Sequence, residues 1–373
     1  MLRLILVSLL FLLSLLTVFR AGTSQLWYIS ILVTEFCWFF IVIVIALLLL
    51  SFSKTKLVIP ISIVGIAALV LYAVPIIGAY RIASKLNSLF ANNAGRTSST
   101  VAGSAPFKIT QMVTGVYAKK IAYKTLSYDS THNLSLDFYP SQKPGNKPCV
   151  VIVHGGSWAA GNSQQLPDLN SALAKAGYHV ASINYRLAPE YKFPAPIEDL
   201  HTALDYLRSV SANLSVDTTK FVLLGRSAGG QIVLSAAYTL NDPAIKGVIS
   251  FYGPADMVWG YANPTNPLVL DSKKVIEDYL GGTDKQVPQQ YINSSATETA
   301  TSNSVSTLLI HGENDPLVSH LHGIRLGKKL DNLKVRHYDV YLPWATHGFD
   351  YTLNGPAGQL STWSVLRFLE IVL

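Results

Sequence analysis

The chain has 373 residues, of which 50% are hydrophobic and only 14% are charged, and its mean hydropathy is +0.32. This composition excludes a disordered chain and is unlike that of an ordinary cytosolic enzyme. Residues 1–100 carry seven basic groups and one acid, whereas the rest of the chain carries 22 basic and 21 acidic groups. Because the excess positive charge flanks hydrophobic segments and forms no basic stripe elsewhere, the net charge of +7 does not indicate nucleic-acid binding.

Three apolar runs near the N-terminus predict transmembrane helices, at about 4–19, 26–50 and 57–80. A helix of about 20 residues spans the hydrocarbon layer, so the second and third runs are long enough and the first is marginal. The first run is alternatively a cleaved signal peptide that ends near residue 24. Residues 1–90 are therefore interpreted as a membrane anchor of two to three helices in the lipid bilayer.

Glu35 is the only charged residue inside the second run. We interpret it as lying at the membrane interface, with the membrane-spanning part starting near Phe36; the alternative is a functional acid within the membrane. The flanking basic residues are almost evenly divided between the two sides of the membrane. The short loop with Lys54 and Lys56 favours a cytoplasmic N-terminus, so in this multi-pass arrangement the C-terminal domain is expected to be exoplasmic.

Residues 91–106 are small and polar and predict a flexible linker. From residue 107 onward strand patterns alternate with helix patterns, which is typical of a mostly parallel sheet covered by helices on both faces. Residues 254–304 form a long insertion rich in Pro, Asn and Thr, interpreted as a lid over a site. The predicted strands are 119–126, 134–139, 149–154, 179–184, 220–224, 247–252, 305–311 and 336–342, and the predicted helices are 169–176, 197–210, 229–240, 273–280, 319–331 and 362–373.

The strongest chemical signal is the sequence Gly-Arg-Ser-Ala-Gly-Gly at 225–230, between a predicted strand and a predicted helix. In this setting a serine occupies a sharp strand-to-helix turn, and the flanking positions must be nearly free of side chains. Gly225 and Gly229 meet that requirement, so Ser227 is the predicted nucleophile. The alternative is a glycine-rich phosphate-binding turn or a plain connection between strand and helix.

A serine hydroxyl needs a base to take its proton, and the base needs an acid to orient it. His347 follows the last predicted strand and is the predicted base. Asp315 follows the preceding strand and is the predicted acid, with Glu313 and Asp256 as competing candidates. The chain order Ser227, Asp315, His347 is the order expected for a hydrolase with this kind of serine turn.

Acyl transfer also needs donors for the oxyanion, each of which lowers the barrier by about 3–4 kcal/mol. The sequence His-Gly-Gly-Ser-Trp at 154–158 follows a buried strand and is predicted to present backbone N–H groups beside Ser227. The oxyanion hole is assigned to the N–H groups of Gly156, Ser157 and Ala228. Among the neighbouring residues, we expect Gly155 to support the turn and His154 to brace the loop. Trp158 is expected to be either a wall of the substrate pocket or a core aromatic.

Neither the histidines nor the cysteines indicate a metal site. His311, His320 and His322 are close in sequence, but residues two apart on a helix diverge, and the chain has no His-Glu-x-x-His pattern. Cys37 and Cys149 support neither a disulfide framework nor a thiolate site. No metal or other cofactor is expected.

Together these motifs resemble the α/β-hydrolase superfamily, and within it the hormone-sensitive-lipase-like and related carboxylesterase group. The resemblance covers roughly residues 115–373 and includes Tyr-Arg-Leu-Ala-Pro-Glu at 185–190 and Phe-Pro-Ala-Pro-Ile-Glu-Asp at 193–199. It implies an α/β-hydrolase fold for residues 107–373, with an eight-stranded, mostly parallel sheet, a lid, and ester hydrolysis without a cofactor. That group commonly has His-Gly-Gly-Gly at the first motif. The variant with Ser157 and Trp158 resembles arylformamidases, feruloyl-type esterases and membrane-bound prenylcysteine methylesterases of plants.

The predicted function is that of a membrane-anchored, lipase-like serine esterase. It would cleave carboxylic esters with short-to-medium acyl chains or lipophilic groups through a Ser-His-Asp triad and an acyl-enzyme. Its expected partners are a small-molecule or lipid ester and the lipid bilayer, and no nucleic acid. Two alternatives remain: an amidase or arylformamidase on the same triad, and a non-catalytic ligand-binding protein of the same fold.

Overall fold

The computed structural model describes residues 1–50, 57–91, 104–115 and 120–373. Among these residues, eight strands form one sheet, and all of the strands lie beyond residue 120. The strands are β1 (Lys124–Asp129), β2 (Leu134–Tyr139), β3 (Lys147–Val153), β4 (His179–Ile183), β5 (Val216–Arg226), β6 (Ile245–Phe251), β7 (Ser306–Gly312) and β8 (His337–Leu342).

The order of the strands across the sheet is β1-β2-β4-β3-β5-β6-β7-β8. Strand β2 runs antiparallel to both its neighbours, and the pairs from β4 to β8 are all parallel. The predicted mostly parallel sheet is therefore confirmed. Strand β5 is central, and parallel strands end at the same edge of the sheet, so the loop after β5 stands in the middle of that edge.

Helices cover both faces of this sheet. Within β3, Val151 and Val153 point into one core and Val150 and Ile152 into the other, as the two-residue period of a strand requires. Helices α7 (Ala195–Ser209), α9 (Ala228–Thr239) and α14 (Leu321–Asn332) contribute to the first core. Helices α6 (Asp168–Ala176) and α15 (Pro356–Val372) contribute to the second. Two shorter helices are α5 (Ile109–Thr114) and α8 (Ser211–Leu214).

Four short helices occupy the interval 254–304 that was predicted as a lid: α10 (Met257–Ala262), α11 (Ser272–Leu280), α12 (Pro288–Ser294) and α13 (Ala296–Thr299). Most predicted elements agree with the observed ones to within a few residues. Two differ more: the first strand begins at Lys124 rather than at 119, and the last helix begins at Pro356 rather than at 362.

The apolar N-terminal region forms four helices: α1 (Leu2–Ser14), α2 (Ser24–Glu35), α3 (Cys37–Leu49) and α4 (Val58–Ala91). The prediction of a single helix over 26–50 is wrong, because α2 and α3 meet at Phe36 with a bend of 81°. Their surroundings explain the bend. Helix α2 lies against α15 and the loop after β8, whereas α3 packs on α1 and α4.

Glu35, which we expected at a membrane interface, is buried in a contact within the protein. Its side chain is only 1% exposed, and Oε2 accepts hydrogen bonds from the backbone N–H groups of Ala357 (3.1 Å) and Gly358 (3.2 Å). These are the unpaired donors of the first turn of α15, where the helix dipole favours a carboxylate. Glu35 therefore ties α2 to the sheet-containing part of the chain.

Helix α4 extends well beyond the predicted span 57–80. Its last turns pack on the sheet-containing part, where Phe90 stacks on Tyr338 with ring centroids 4.7 Å apart. Among the described residues, Val58–Phe90 is long and apolar enough to cross a membrane, with a mean hydropathy of 2.4 over an 18-residue window. The bent pair α2–α3 is a second such element only if it is counted as one broken span, and α1 is shorter. Residues 92–103 of the predicted linker 91–106 lie outside the described residues.

Candidate active site

Ser227 lies on the sharp turn between β5 and α9, at the centre of the sheet edge. Its backbone has φ of +53° and ψ of −120°, which a residue with a side chain adopts only under strain. Close approaches on both sides explain the flanking glycines. A Cβ at Gly225 would lie 2.1 Å from the carbonyl oxygen of Gly229, and a Cβ at Gly229 would lie 2.2 Å from that of Val153.

The structure brings His347 and Asp315 together. Asp315 follows β7, and its Oδ2 lies 2.6 Å from Nδ1 of His347, which therefore donates a hydrogen bond to the carboxylate. Its Oδ1 accepts from the N–H groups of Leu317 (2.8 Å) and Val318 (2.9 Å). Burial alone would raise the pKa of Asp315, but the two imidazoles beside it, those of His347 and His311, hold the pKa well below its usual range.

The contact of His311 with this acid was not anticipated from the sequence. Its Nε2 lies 2.9 Å from the carbonyl oxygen of Val318 and 3.3 Å from Oδ2 of Asp315. Because a carbonyl only accepts, Nε2 carries the proton and His311 holds the loop that carries Asp315. The sequence signal that could have indicated this contact is the four-residue spacing from His311 to Asp315 across the end of a strand.

The competing acids lie in other surroundings. Asp256 is the N-cap of α10, accepting from the N–H of Trp259 (2.9 Å), and its Oδ2 pairs with Arg325 at 2.7 Å. Glu313 is partly exposed, and its backbone carbonyl accepts from the guanidinium of Arg20 at 2.8 Å.

Ser227 and His347 face a common cavity of about 660 Å³, which we call the wide cavity. The ring of Tyr252 packs against the ring of His347 with centroids 4.4 Å apart. The wide cavity is lined by Ser24, Trp27, Tyr28, Ile31, Gly155, Gly156, Ser157, Ala159, Ala160, Gln165, Leu166, Arg226, Ser227, Tyr252, Val269, Leu270, Leu317, His347, Gly348 and Tyr351.

The loop at 154–158 lies beside the serine turn: a Cβ at Gly155 would lie 3.2 Å from Cβ of Ser227. The carbonyl of Gly156 accepts from the N–H groups of Ala159 (3.0 Å) and Ala160 (2.9 Å). Because the C=O and N–H of a trans peptide point in opposite directions, the N–H of Ser157 points away from that turn. The N–H of Gly155, in contrast, is already donated to Oε1 of Gln165 at 2.7 Å.

His154 holds this loop through a hydrogen bond and a ring contact. Its Nδ1 lies 2.7 Å from the carbonyl oxygen of Gly155, and its ring stacks on Tyr185 with centroids 4.3 Å apart. Burial lowers the pKa of His154 to about 4, although the hydrogen bond to Gly155 opposes this shift. The ring is therefore neutral at neutral pH and holds the peptide between Gly155 and Gly156 in one orientation, with the N–H of Gly156 opposite the bonded carbonyl.

A second, smaller cavity of about 50 Å³, which we call the compact cavity, is also lined by Ser227. Trp158 is both a core residue and a wall of this cavity. It is 4% exposed, stacks on Tyr279 at 4.5 Å, and donates from Nε1 to Gln231 at 3.0 Å. The compact cavity is lined by Ser157, Trp158, Ser227, Ala228, Pro254, Met257, Gly260, Asn263, Thr265, Leu270, Ser272, Val275, Ile276, Leu317, Val318 and His322.

A buried ion pair supports both sides of the site. Asp350 accepts from Arg226, the residue before Ser227, and from the hydroxyl of Tyr252, whose ring contacts His347. Arg226 and Asp350 are almost fully buried. Sequence reasoning missed this pair, because the two residues are far apart in the chain and Asp350 belongs to no recognised motif.

Helix α2 of the apolar N-terminal region also reaches the site, which the sequence did not indicate. Trp27 donates from Nε1 to the backbone carbonyl of His347 at 2.8 Å, and the two rings meet edge to face at 6.0 Å. Tyr28 and Ile31 line the wide cavity with it.

Comparison with known proteins agrees with this geometry. The model of the BD-FAE family matches residues 136–330. The chain belongs to the BD-FAE family. The matched region contains Ser227 and Asp315, and His347 lies beyond it.

Several curated relatives of this BD-FAE protein are named esterases, in agreement with the motifs. It is 27% identical to the esterase LipC of Mycobacterium tuberculosis over 242 residues, which cover 60% of this chain and 58% of LipC. It is 34% identical to the carboxylesterase NlhH of the same organism over 125 residues, covering 33% of this chain and 39% of NlhH. The arylesterase of Saccharolobus solfataricus is 32% identical over 116 residues, covering 31% and 38%. The chain thus spans about half the length of these relatives, or less.

Solved structures show the fold of this BD-FAE protein. A bacterial heroin esterase superposes with a TM-score of 0.58 at 21% identity, covering 70% of this chain and 88% of that one. An esterase of Pyrobaculum calidifontis superposes with a TM-score of 0.60 at 20% identity, covering 78% and 92%. Together with the strand order, these likenesses confirm the expected α/β-hydrolase fold.

Proposed function

We propose that this chain is a serine hydrolase that cleaves carboxylic esters. The observation that carries the proposal is that His347, paired with buried Asp315, faces the same cavity as Ser227 on its strained turn. The names of the three relatives described above, LipC, NlhH and the arylesterase, support an ester as the bond that is cleaved.

In the proposed reaction, Oγ of Ser227 attacks the ester carbonyl while Nε2 of His347 takes the hydroxyl proton. The carboxylate of Asp315 accepts a hydrogen bond from the Nδ1–H of His347 throughout, which fixes the tautomer and stabilises the imidazolium. His347 then gives its proton to the leaving alcohol oxygen, and the acyl group remains on Ser227. A water molecule, deprotonated by His347, hydrolyses this acyl-enzyme and restores the serine.

The oxyanion is assigned to the backbone N–H groups of Gly156, Ser157 and Ala228. Ala228 is the first residue of α9, and the N–H groups of a first helical turn have no acceptor within the helix. The bonded carbonyls of Gly155 and Gly156 support the orientation of the other two donors. These donors require no rearrangement as charge develops, which is the basis of their effect on the barrier.

We further propose that the N-terminal helices attach the enzyme to a membrane, with α4 as a spanning element. Large apolar side chains of α4 are exposed, including those of Ile59, Ile63, Ile66 and Val70. The test is extraction of membranes with alkaline carbonate. Retention of the full chain in the pellet is expected, and release into the supernatant contradicts the anchor.

The proposed activity is tested with a chain-length series of p-nitrophenyl esters on the purified full chain, Ser227→Ala and Ser209→Ala. Ser209 is a matched control, since its hydroxyl is exposed at the end of α7 and bonds the carbonyl of Tyr206. Removal of the nucleophile is expected to lower kcat by at least about a thousandfold. Equal rates for Ser227→Ala and the unsubstituted chain contradict the proposal.

A further inference from the structure

Two cavities of different size meet at Ser227. The compact cavity and the wide cavity share Ser157, Ser227, Leu270 and Leu317, so the serine stands on the boundary between them. An ester has two substituents, one on the carbonyl carbon and one on the alcohol oxygen. When the carbonyl carbon lies at Oγ of Ser227, each substituent has one cavity to enter.

The position of His347 decides which substituent enters which cavity. His347 lines the wide cavity, and the lining of the compact cavity does not include it. The imidazole must reach the alcohol oxygen in order to protonate it as it leaves. The alcohol therefore lies in the wide cavity, and the acyl substituent lies in the compact cavity beside Ala228.

The volume of the compact cavity limits the acyl group. On the same measure of free space, the compact cavity has about 50 Å³ and the wide cavity about 660 Å³. The walls of the compact cavity are mainly apolar, with Trp158, Met257 and Ile276 well buried. The compact cavity therefore favours a short, apolar acyl group over a long acyl chain.

The wide cavity has a different wall, because one side of it is helix α2. Ser24, Trp27, Tyr28 and Ile31 line it, and their spacing of i, i+3, i+4 and i+7 places them on one face of the helix. Other parts of the chain add the apolar side chains of Leu166, Val269 and Leu317 to its lining. Such a surface binds a large apolar group by burial of its hydrocarbon.

Hydrogen bonds hold α2 in place at both of its ends. The backbone N–H of Ser24 donates to the carbonyl of Leu268 at 3.1 Å, and Glu35 accepts from the first turn of α15. Between them, Trp27 bonds the carbonyl of His347. The face of α2 is therefore a fixed part of the site, continuous along the chain with the apolar helices α3 and α4.

We propose that the substrates are esters of a short acyl group with a large apolar alcohol, and that α2 builds the binding site for the alcohol. This assignment rests on the proposed ester hydrolysis at Ser227. It gives the apolar N-terminal region a role in substrate selection in addition to attachment.

The test uses two isomeric esters, dodecyl acetate and ethyl dodecanoate, with the full chain in detergent micelles. The isomers have the same atoms and similar hydrophobicity, and differ only in which side of the ester carries the long chain. We expect kcat/KM for dodecyl acetate to exceed that for ethyl dodecanoate by about tenfold or more, because the wide cavity has much more room for the long chain than the compact cavity. Ethyl acetate, assayed in parallel, measures what the long alcohol contributes.

The variants address each cavity separately. Tyr28→Ala is expected to lower kcat/KM for dodecyl acetate by about tenfold and to leave that for ethyl acetate within about twofold. Leu32→Ala, on the same helix and outside the cavity lining, is the matched control and keeps the values of the unsubstituted chain. Ile276→Ala enlarges the compact cavity and is expected to raise the rate with ethyl hexanoate relative to ethyl acetate.

The outcomes separate this inference from the proposed function. Equal or faster turnover of ethyl dodecanoate, abolished in Ser227→Ala, overturns the assignment of the cavities and leaves ester hydrolysis intact. Loss of selectivity in Leu32→Ala to the same degree as in Tyr28→Ala overturns the role of the α2 face. If neither isomer, ethyl acetate nor p-nitrophenyl acetate is hydrolysed, ester hydrolysis itself is refuted.

Discussion

The indole Nε1 of Trp27 donates a hydrogen bond to the backbone carbonyl of His347 at 2.8 Å. This contact joins the apolar N-terminal region to the residue proposed as the catalytic base. Because a buried carbonyl without a donor is unfavourable, the indole helps to fix the loop that carries His347.

Trp27→Phe removes the donor and retains most of the ring. One hydrogen bond contributes about 1 kcal/mol, so we expect kcat with p-nitrophenyl acetate to fall by about fivefold as the His347 loop loosens. Trp38→Phe, on α3, is the control and should behave as the unsubstituted chain. An unchanged kcat in Trp27→Phe would show that the loop is held without this bond.

Asp315→Asn tests the proposed acid. The carboxylate accepts hydrogen bonds from the N–H groups of Leu317 and Val318 and from Nδ1–H of His347. An amide has only one acceptor oxygen and no charge, so His347 loses its orientation and the stabilisation of its positive charge. We expect kcat to fall by about a thousandfold or more with little change in KM. Glu313→Gln is the matched control, and comparable losses in the two variants would contradict the assignment.

Asp350→Asn tests the buried ion pair beneath the site. The substitution leaves the guanidinium of Arg226 buried without a counter-charge, which costs about 3–5 kcal/mol of folding free energy. Thermal unfolding should shift down by several degrees, whereas Asp278→Asn, which removes an exposed pair with Lys274, should change little. If both variants unfold at the same temperature, the buried charge of Arg226 does not depend on Asp350 for its stabilisation in the folded protein.

Stability in mild acid is expected to depend on His322. Burial lowers the pKa of its ring to about 3, and the nearby charge of His311 adds to this shift. The ring accepts a hydrogen bond from the N–H of Asp256 at 3.2 Å, which requires a neutral Nδ1. Between pH of about 6.5 and 3 the unfolded chain binds a proton that the folded chain does not, so stability falls as the pH falls.

The measurement is the unfolding temperature between pH 7 and 4 for the unsubstituted chain, His322→Gln and His201→Gln. His322→Gln should flatten the dependence on pH, because the titrating group is gone. The exposed His201 is the control, and its substitution should leave the slope unchanged. An identical slope in His322→Gln would assign the acid sensitivity to other groups.

The local features of the fold could be predicted from the sequence. The run of β-branched residues in β3 and the sequence 225–230 both express short-range constraints, a strand buried on two faces and a turn that excludes side chains. The order of Ser227, Asp315 and His347 followed from the same type of reasoning. Their roles remain predictions, although the structure brings His347 and Asp315 together and places Ser227 and His347 on one cavity.

Hydropathy predicted the apolar N-terminal segments but not their shape. The run 26–50 reads as one helix, because a hydropathy window counts apolar residues and contains no information on the partners of each face. The break at Phe36 follows from contacts of α2 with the loop after β8 and with α15. For the same reason Glu35 was placed at a membrane interface, although it caps α15.

The sequence by itself determined the elements: which segments are apolar, which strands are buried, and where a serine stands on a tight turn. Periodicity and turn chemistry act over a few residues, so they can be recognised without coordinates. Only the tertiary structure decided that α2 lines the wide cavity and that Glu35, 322 residues before Ala357, binds it. Contacts between such distant residues depend on how whole surfaces fit together, which no local pattern encodes.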